Sequence, residues 1–362
     1  MTFVETITQA IIYLCFAILL GSFILALVPQ VNKPTISIPK GALMTATGGI
    51  ALLSFIPVFQ LILYLSPGIG YLQTMQSVLF TFEVGKAWLF TFIIATILFI
   101  FIVWFDYRKN KSYAYIGIAI VFILILGLAW SSHASSLDKV VGFISHTAHF
   151  TAVSIWVGIL FVVSWFAKDY SNWESFLKWF SPTAMFCLVG TIISGFILMS
   201  FVVEFKDYTN SWMLPYGQTL LIKHLLMIPL LVYALINSII LKKKLSNQLF
   251  NPLPWARMES IIVLLIFSAT AALGQQSPPH ETLLTEEEIS SLFTMFYQGQ
   301  FQPGMTVNLM LNATSIALCG LALLFIALMM LSFIKKAPVI LSILMSVLLV
   351  LCLYLSIMLG IQ

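Results

Sequence analysis

Two histidines interrupt an otherwise apolar stretch of the chain. The stretch runs from Gly142 to Leu160 and contains His146 and His149, three residues apart near its first end. On a helix this spacing places both imidazoles on one face. Ionisable side chains inside a bilayer are costly, so they usually face the interior of a helix bundle and indicate a pathway or a ligand. Because neutral imidazole is a common ligand of Zn, Cu, Fe and Ni, the pair predicts a metal site.

Composition restricts the class of protein. Of the 362 residues, 60% are hydrophobic and only 8% are charged, a balance typical of a polytopic membrane protein. The net charge of +4 comes from short clusters, so nucleic acid is not an expected partner. The four cysteines lie in apolar runs without CxxC spacing, which argues against a disulfide framework. No GxxxxGK[ST] motif is present, so we expect no ATP hydrolysis, and the chain is predicted not to be an enzyme.

Ten segments are long and apolar enough to cross a bilayer, for which a helix needs roughly 20 residues. They predict an all-α polytopic bundle and run approximately from Ile7 to Leu27, Ala42 to Tyr64, Ala87 to Phe105, Tyr115 to Ser131, Gly142 to Trp165, Pro182 to Val203, Gly217 to Leu241, Trp255 to Leu273, Val307 to Ile334 and Ala337 to Leu359. Met1 to Glu5 has no Lys or Arg, so the first segment is predicted to be a retained helix. Pro57 and Pro229 predict kinks with freed carbonyls.

The distribution of Lys and Arg predicts the orientation, because positive residues collect on the cytoplasmic side of a membrane. Thirteen of them lie in or beside the odd-numbered connections, and three lie in the even-numbered ones. The long eighth connection, from Gly274 to Thr306, has four glutamates and no Lys or Arg. The odd connections are therefore predicted to be cytoplasmic, and both termini are predicted to lie outside.

With this orientation, every histidine lies toward the outer side. They are His133 at the end of the fourth span, His146 and His149 in the fifth, His224 in the seventh and His280 in the eighth connection. Met199 and Met227 could continue a path from this cluster, with Met185 and Cys187 deeper, because soft sulfur ligands select Cu(I). The pattern predicts capture of copper by histidines and exchange toward softer sites. Copper arriving as Cu(II) would need a reductant before the thioether stage.

These candidate ligands also have structural interpretations. His280 lies in a polar loop and suits an interfacial role, whereas Met199 and Met227 suit the filling of irregular gaps. Cys187 suits a small buried apolar residue. The ligand set therefore rests mainly on His133, His146, His149 and His224.

Three charged residues lie within spans. Arg257 and Glu259 open the eighth span, and Lys223 lies two turns into the seventh. Arg257 can extend to the membrane surface. Glu259 is harder to accommodate, so it is expected either to pair with a neighbouring positive group or to carry a proton.

Eight short segments between Gly85 and Pro279 occur in an order and spacing that match one membrane-protein family. They are Gly85-Lys86-Ala87-Trp88, Ser132-His133-Ala134, His146 to Gly158, Phe180-Ser181-Pro182, Ser194-Gly195, Gly217 to Lys223, Arg257-Met258-Glu259 and Ser277-Pro278-Pro279. Together they resemble the membrane domain of the copper resistance protein D (CopD) family. Ser132 stands where the family tends to have Gly, and Ile159 replaces the second Gly of Trp-x-Gly-Gly. We expect looser helix approach at both positions.

The resemblance implies copper handling by a multi-pass protein of the bacterial plasma membrane. The residues on family motif positions are His133, His146, Trp156, Lys223, Arg257, Glu259, Pro278 and Pro279, whereas His149, His224 and His280 are not claimed from the family. In YcnJ-type proteins this domain is fused to an extracellular copper-binding CopC domain. None precedes the first span of this sequence, so we expect a separate CopC-like protein, or direct capture, to supply copper.

The resemblance also suggests a division of the chain. Residues 1–280 would form the eight-span CopD-like domain, 281–306 an extracellular loop, and 307–362 two additional helices without an assigned function. The expected function is copper import through the outer histidines. Haem ligation for electron transfer is an alternative, because histidines lie at similar depth on the fifth and seventh spans. A factor that supplies copper to a membrane enzyme without transporting it is another.

Overall fold

Helices dominate the structure. The computed structural model describes residues 2–240, 250–279, 288–297, 299 and 305–361. Ten helical segments in these ranges are long and apolar enough to cross a membrane, which confirms the predicted all-α class with ten spans. Strand pairing within the described ranges is limited to two isolated bridges, Ile36 with Ala167 and Leu309 with Ile361. Contacts divide the chain into two compact units, residues 1–198 and 199–362.

Nine helices build the first unit. They are α1 Thr2–Leu27, α2 Lys40–Leu53, α3 Ile56–Ile69, α4 Tyr71–Phe80, α5 Glu83–Trp104, α6 Lys111–Trp130, α7 His133–Leu137, α8 Val141–Phe166 and α9 Trp173–Ser200. α8 is largely buried and packs against α1, α6 and α7. α9 begins nine residues before the predicted start at Pro182. The predicted boundary was wrong because Trp173, Phe176 and Phe180 are buried and extend the helix through that segment.

The second span is two helices rather than one. α2 ends at Leu53, and α3 begins at Ile56 with Pro57 in its first turn, so the predicted irregularity at Pro57 is confirmed as a break. The break frees the carbonyl oxygen of Ala51, which accepts a hydrogen bond of 3.1 Å from Trp88 Nε1. This carbonyl therefore gains a partner inside the bundle, as backbone groups in hydrocarbon require.

Two close backbone approaches fix the position of α8. A methyl group on Gly158 would overlap with the carbonyl oxygen of Ala17, and one on Gly21 would overlap with the backbone of Gly158. The expectation of looser approach near Ile159 was therefore wrong, because Gly21 of α1 supplies the second small residue and Ile159 itself is fully buried. At the other end of α8, Gly142 lies directly against the carbonyl oxygen of Ala134.

Ser132 has a capping role that its replacement of Gly did not suggest. Its hydroxyl accepts a hydrogen bond of 3.3 Å from the backbone N–H of Ser135 and so caps the start of α7. The close approach in this region occurs between Ala134 and Gly142. The expected loosening at Ser132 itself stays a prediction.

The first and fifth connections are joined by hydrogen bonds. Ser37 N donates to Phe166 O at 3.0 Å, and Lys168 N donates to Thr35 O at 2.8 Å. Asp169 Oδ1 accepts from Ser171 Oγ at 2.6 Å and from Thr35 N at 3.1 Å. These hydrogen bonds from Ser171 and Thr35 lower the pKa of Asp169 to about 2.

The described residues of the second unit form five α-helices. They are α10 Pro215–Leu235, which continues as the π-helical segment Ile236–Ile240, then α11 Leu253–Leu273, α12 Ser291–Phe296, α13 Ala313–Ile334 and α14 Val339–Met358. α13 begins six residues after the predicted start at Val307 because Asn312 caps it, accepting from Ser315 N at 2.8 Å. Pro229 lies inside α10 as predicted, and the kink there stays a prediction.

Buried hydrogen bonds attach α14 to α10. Tyr354 Oη donates to Gln218 Oε1 at 2.6 Å near the start of α10. Tyr233 Oη donates to Ser342 Oγ at 2.9 Å near its end. The last two helices are therefore packed into the same unit as α10 and α11, whereas the functional division at residues 280 and 306 stays a prediction.

Gly158→Ala tests the crossing of α1 and α8. The added methyl group has no space between two backbones, so we expect a loss of roughly 1–3 kcal/mol in the free energy of unfolding. Gly48→Ala on α2 is the matched control, because nothing lies within 4 Å of the added methyl group. Reversible unfolding in mixed micelles measures both, and equal stability of the two variants would contradict this packing.

Asp169→Asn tests the connection between the two loops. A pKa of about 2 in the folded protein lies below the value of about 3.9 in an unfolded chain. The ionised carboxylate therefore stabilises the fold above pH 4, and this contribution is lost as the pH falls toward 2. We expect the wild type to melt at a higher temperature than the variant at pH 7, with the difference shrinking below pH 4. A difference in melting temperature that does not change with pH would contradict this role of the Asp169 carboxylate.

Candidate functional site

His146 presents an unsatisfied nitrogen inside the first unit. Its ring lies parallel to Phe150, with centroids 6.3 Å apart and 6° between the planes. Phe150 in turn packs against Tyr13 and Phe16 of α1, with centroids 5.5 and 5.2 Å away. His146 Nδ1 is buried and has no hydrogen-bond partner among the described residues. Because buried polar atoms are nearly always satisfied, this nitrogen is the one in α8 best suited to a ligand.

His149 is oriented by α9. Its Nδ1 lies 3.1 Å from Ser194 Oγ, and Gly195 leaves room for the ring, since a methyl group there would be 3.4 Å from His149 Cε1. Ser194 Oγ donates its own proton to Gly190 O at 2.6 Å, so it accepts from the Nδ1–H of His149. In this tautomer the lone pair is on Nε2, which is the arrangement of a metal-binding histidine held by a second group.

His133 lies on the short helix α7, which packs against the first turn of α8. The residue is exposed, and its carbonyl oxygen accepts from Ser136 Oγ at 2.6 Å. Contact between Ala134 and Gly142 brings α7 to the same end of α8 as the histidine pair. The structure therefore places His133, His146 and His149 in neighbouring parts of the first unit.

His224 belongs to the second unit. Its Nδ1 lies 2.6 Å from Tyr208 Oη, and the Tyr208 ring packs against Trp212 with centroids 5.5 Å apart. Lys223 precedes it on α10 and forms no ion pair in the part of the chain that the structure describes. Met227 is half-buried one turn further along α10.

The remaining candidates differ in their surroundings. Met199 packs against the apolar cluster of Val203, Tyr216 and Leu220, which agrees with a packing role. Trp156 is buried on α8, and its Nε1 has no hydrogen-bond partner in the described ranges. His280 lies outside the described residues.

Glu259 is paired rather than isolated. Its Oε2 accepts a hydrogen bond of 2.7 Å from Asn237 Nδ2. This partner is a neutral amide rather than the positive group that the sequence suggested, and proton transfer stays a prediction. Arg257, two positions earlier, is half-buried, and its role stays a prediction.

No group of three or more His, Cys, Asp or Glu side chains close enough to hold a metal ion is found among the described residues. The four-histidine set therefore stays a prediction, and of its members His146 and His149 lie on the same helix, α8.

Sequence reasoning missed Tyr208 and Asn237 and gave Ser194 no role. Ser194 could have been found, because it belongs to the Ser194-Gly195 segment that carries part of the family resemblance. The partners of His224 and Glu259 lie outside such segments and carry no comparable signal.

The fold and these residues define a polytopic helical membrane protein with an imidazole pair on a largely buried helix. The family models described as "Copper resistance protein D" and "Copper resistance protein D-like, N-terminal domain" match residues 174–273 and 3–143. Together they cover about two thirds of the sequence. The chain belongs to the copper resistance protein D family and is a multi-pass protein of the plasma membrane.

Two curated relatives are similar to this chain. Copper transport protein CutJ of Bacillus subtilis is 29% identical over 185 residues, which are 48% of this chain and 33% of CutJ. Inner membrane protein YebZ of Escherichia coli is 24% identical over 210 residues, which are 55% of this chain and 71% of YebZ. The match therefore spans only about a third of the length of CutJ. No solved structure matches the chain.

Ser194→Ala tests how His149 is oriented. Loss of the acceptor at Nδ1 should lower copper affinity about 10-fold, a typical cost of removing a second-layer partner. Ser194→Thr keeps the hydroxyl and is expected to retain affinity. Competition with a copper chelator measures both variants, with melting temperature as the control for folding. Equal affinity in wild type and Ser194→Ala would contradict the assignment.

Proposed function

We propose that this chain binds copper through the histidines of α8 and moves it inward across the plasma membrane. The single observation that carries the proposal is the buried Nδ1 of His146, which has no hydrogen-bond partner among the described residues and lies one turn from an imidazole whose tautomer Ser194 sets. Membership of a copper resistance family and similarity to a copper transport protein support the choice of metal.

The proposed route begins with capture by His133, His146, His149 and His224, with His280 as a further candidate. Copper would then exchange toward thioether sulfur, for which Met227 is better suited than the packed Met199. Trp156, Lys223, Arg257 and Glu259 are proposed to shape the path without ligating the metal. Exchange between successive weak sites allows an ion to enter and also to leave.

The proposed inward direction of copper movement and the proposed outside location of both termini rest on the distribution of Lys and Arg. Thirteen Lys and Arg residues lie in or beside the predicted cytoplasmic connections and three lie on the other side, which supports an exterior location of the histidines. A histidine cluster on that side suits uptake from outside. A separate extracellular CopC-like protein is the proposed copper donor. Imidazole ligands accept either Cu(II) or Cu(I), so they could receive the ion in either oxidation state.

Copper uptake into proteoliposomes tests this function. We expect wild-type protein to accumulate copper, and His146→Ala or His149→Ala to reduce the initial rate at least severalfold because each removes one of two adjacent ligands. Met329→Leu on α13 is the matched control and should transport normally, because Met329 is fully buried and is not among the proposed ligands. Copper bound at stoichiometric amounts without any uptake would favour the copper-supply alternative.

An absorption spectrum of the same preparation separates copper from haem. Copper binding without a Soret band supports the proposal. A Soret band that is lost in His149→Ala or His224→Ala would instead assign the histidines to haem and overturn the copper route.

A further inference from the structure

A buried acid and amide pair lies in the second unit, outside the proposed copper ligands. Glu259 of α11 is 6% exposed, and its Oε2 accepts from Asn237 Nδ2 at 2.7 Å. Asn237 is 7% exposed and belongs to the π-helical segment Ile236–Ile240 that follows α10. Its amide nitrogen also lies 3.4 Å from the carbonyl oxygen of Trp255.

Glu259 has no neutralising cation within the described ranges. The four ion pairs found there involve Glu83, Asp106, Glu174 and Glu204. Arg257 is two positions away on the same helix, a spacing at which side chains do not face each other.

The described groups of the helices packed near this region are uncharged. α13 contributes Phe333, whose ring centroid is 4.9 Å from that of Trp255, and Lys335 and Lys336 after it are exposed. α10 contributes Tyr233, whose ring centroid is 6.4 Å from that of Trp255, and α14 contributes Ser342, the hydrogen-bond partner of Tyr233. An uncompensated carboxylate in such surroundings costs several kcal/mol. The neutral acid is therefore the form that this environment stabilises.

A protonated acid needs an acceptor for its O–H group, and Asn237 offers one. Asn237 Oδ1 is buried and has no hydrogen-bond partner among the residues that the structure describes. A primary amide carries a donor and an acceptor side by side, so Asn237 can donate through Nδ2 while it accepts through Oδ1. An ionised Glu259 is an acceptor only and would leave Oδ1 unsatisfied, at a cost of about 1–3 kcal/mol.

We propose that Glu259 and Asn237 form a proton-binding site, in which Glu259 holds the proton as a neutral acid paired with the amide. Release breaks the acid O–H bond and leaves a carboxylate and a free proton, and uptake reverses this step. The π-helical segment suits such a site, because single π turns frequently occur at functional sites. α10 carries both this segment and His224, so coupling of the proton to copper movement is a consequence that rests on the proposed function.

Infrared spectroscopy of the full chain in lipid tests the site without reference to copper. At neutral pH we expect a C=O stretching band of an un-ionised carboxylic acid that shifts in D2O. The band should disappear in Glu259→Gln, which keeps an uncharged side chain of the same shape and should fold. It should remain in Glu204→Gln, which removes an exposed, ion-paired carboxylate of the same unit. No band in the wild type, or a band that survives in Glu259→Gln, would overturn the proposal.

Asn237→Leu provides an independent variant. Without the amide, the acid loses its hydrogen bonds, so its C=O band should move to higher frequency without disappearing. An unchanged frequency would show that Asn237 is not the partner and would also overturn the proposal.

Uptake assays then examine the coupling separately. An imposed pH gradient should change the copper uptake rate of the wild type severalfold and leave that of Glu259→Gln unchanged. An equal response in both proteins contradicts the coupling. Absence of uptake in the wild type contradicts the proposed function, while the infrared result still decides whether the proton site exists.

Discussion

Direct backbone contact between α1 and α8 at Gly21 and Gly158 is the constraint on which the first unit depends. Helices in a bilayer gain little from apolar burial against each other, so close packing of small residues holds them together. The crossing fixes the depth of α8, and Phe150, packed on Tyr13 and Phe16 of the same partner helix, fixes its rotation. His146 and His149 lie about 18 and 13 Å along the helix from Gly158 and are therefore carried on a rigid support.

Buried polar pairs play the corresponding role in the second unit. Gln218 and Tyr233 lie near opposite ends of α10, and both are bonded to side chains of α14. In lipid such groups must find partners within the protein, so each pair specifies one register between the two helices. α14 lies outside the segments that carry the family resemblance, yet it holds the helix that carries His224 and leads to Asn237. Its contribution is to position α10.

Span number, helical class and the break at Pro57 could be predicted from the sequence, because each depends on local properties: apolar length and the missing N–H of proline. The spacing of His146 and His149 likewise fixed their positions on one helix. Contacts such as His149 with Ser194 or Glu259 with Asn237 depend on which helices become neighbours, and hydropathy does not encode that choice. The expectation of loose packing at Ile159 failed for the same reason, since the small residue that meets Gly158 is in α1, well over a hundred residues earlier in the chain.

The charge around the α8 histidines bears on which copper ion they would hold. α8 contains no Asp or Glu, and the acidic residues of the neighbouring helices α1 and α9 are Glu5 and Glu174. Glu174 is about 30 Å along α9 from Ser194, so it cannot compensate an ion beside His149. The cost of moving an ion into a medium of low dielectric constant rises with the square of its charge, so a divalent ion pays about four times as much as a monovalent one. Asp138 accepts hydrogen bonds from Val140 N and Val141 N at the start of α8, so only a site deeper in the bundle than this carboxylate would favour Cu(I) over Cu(II) or Zn(II).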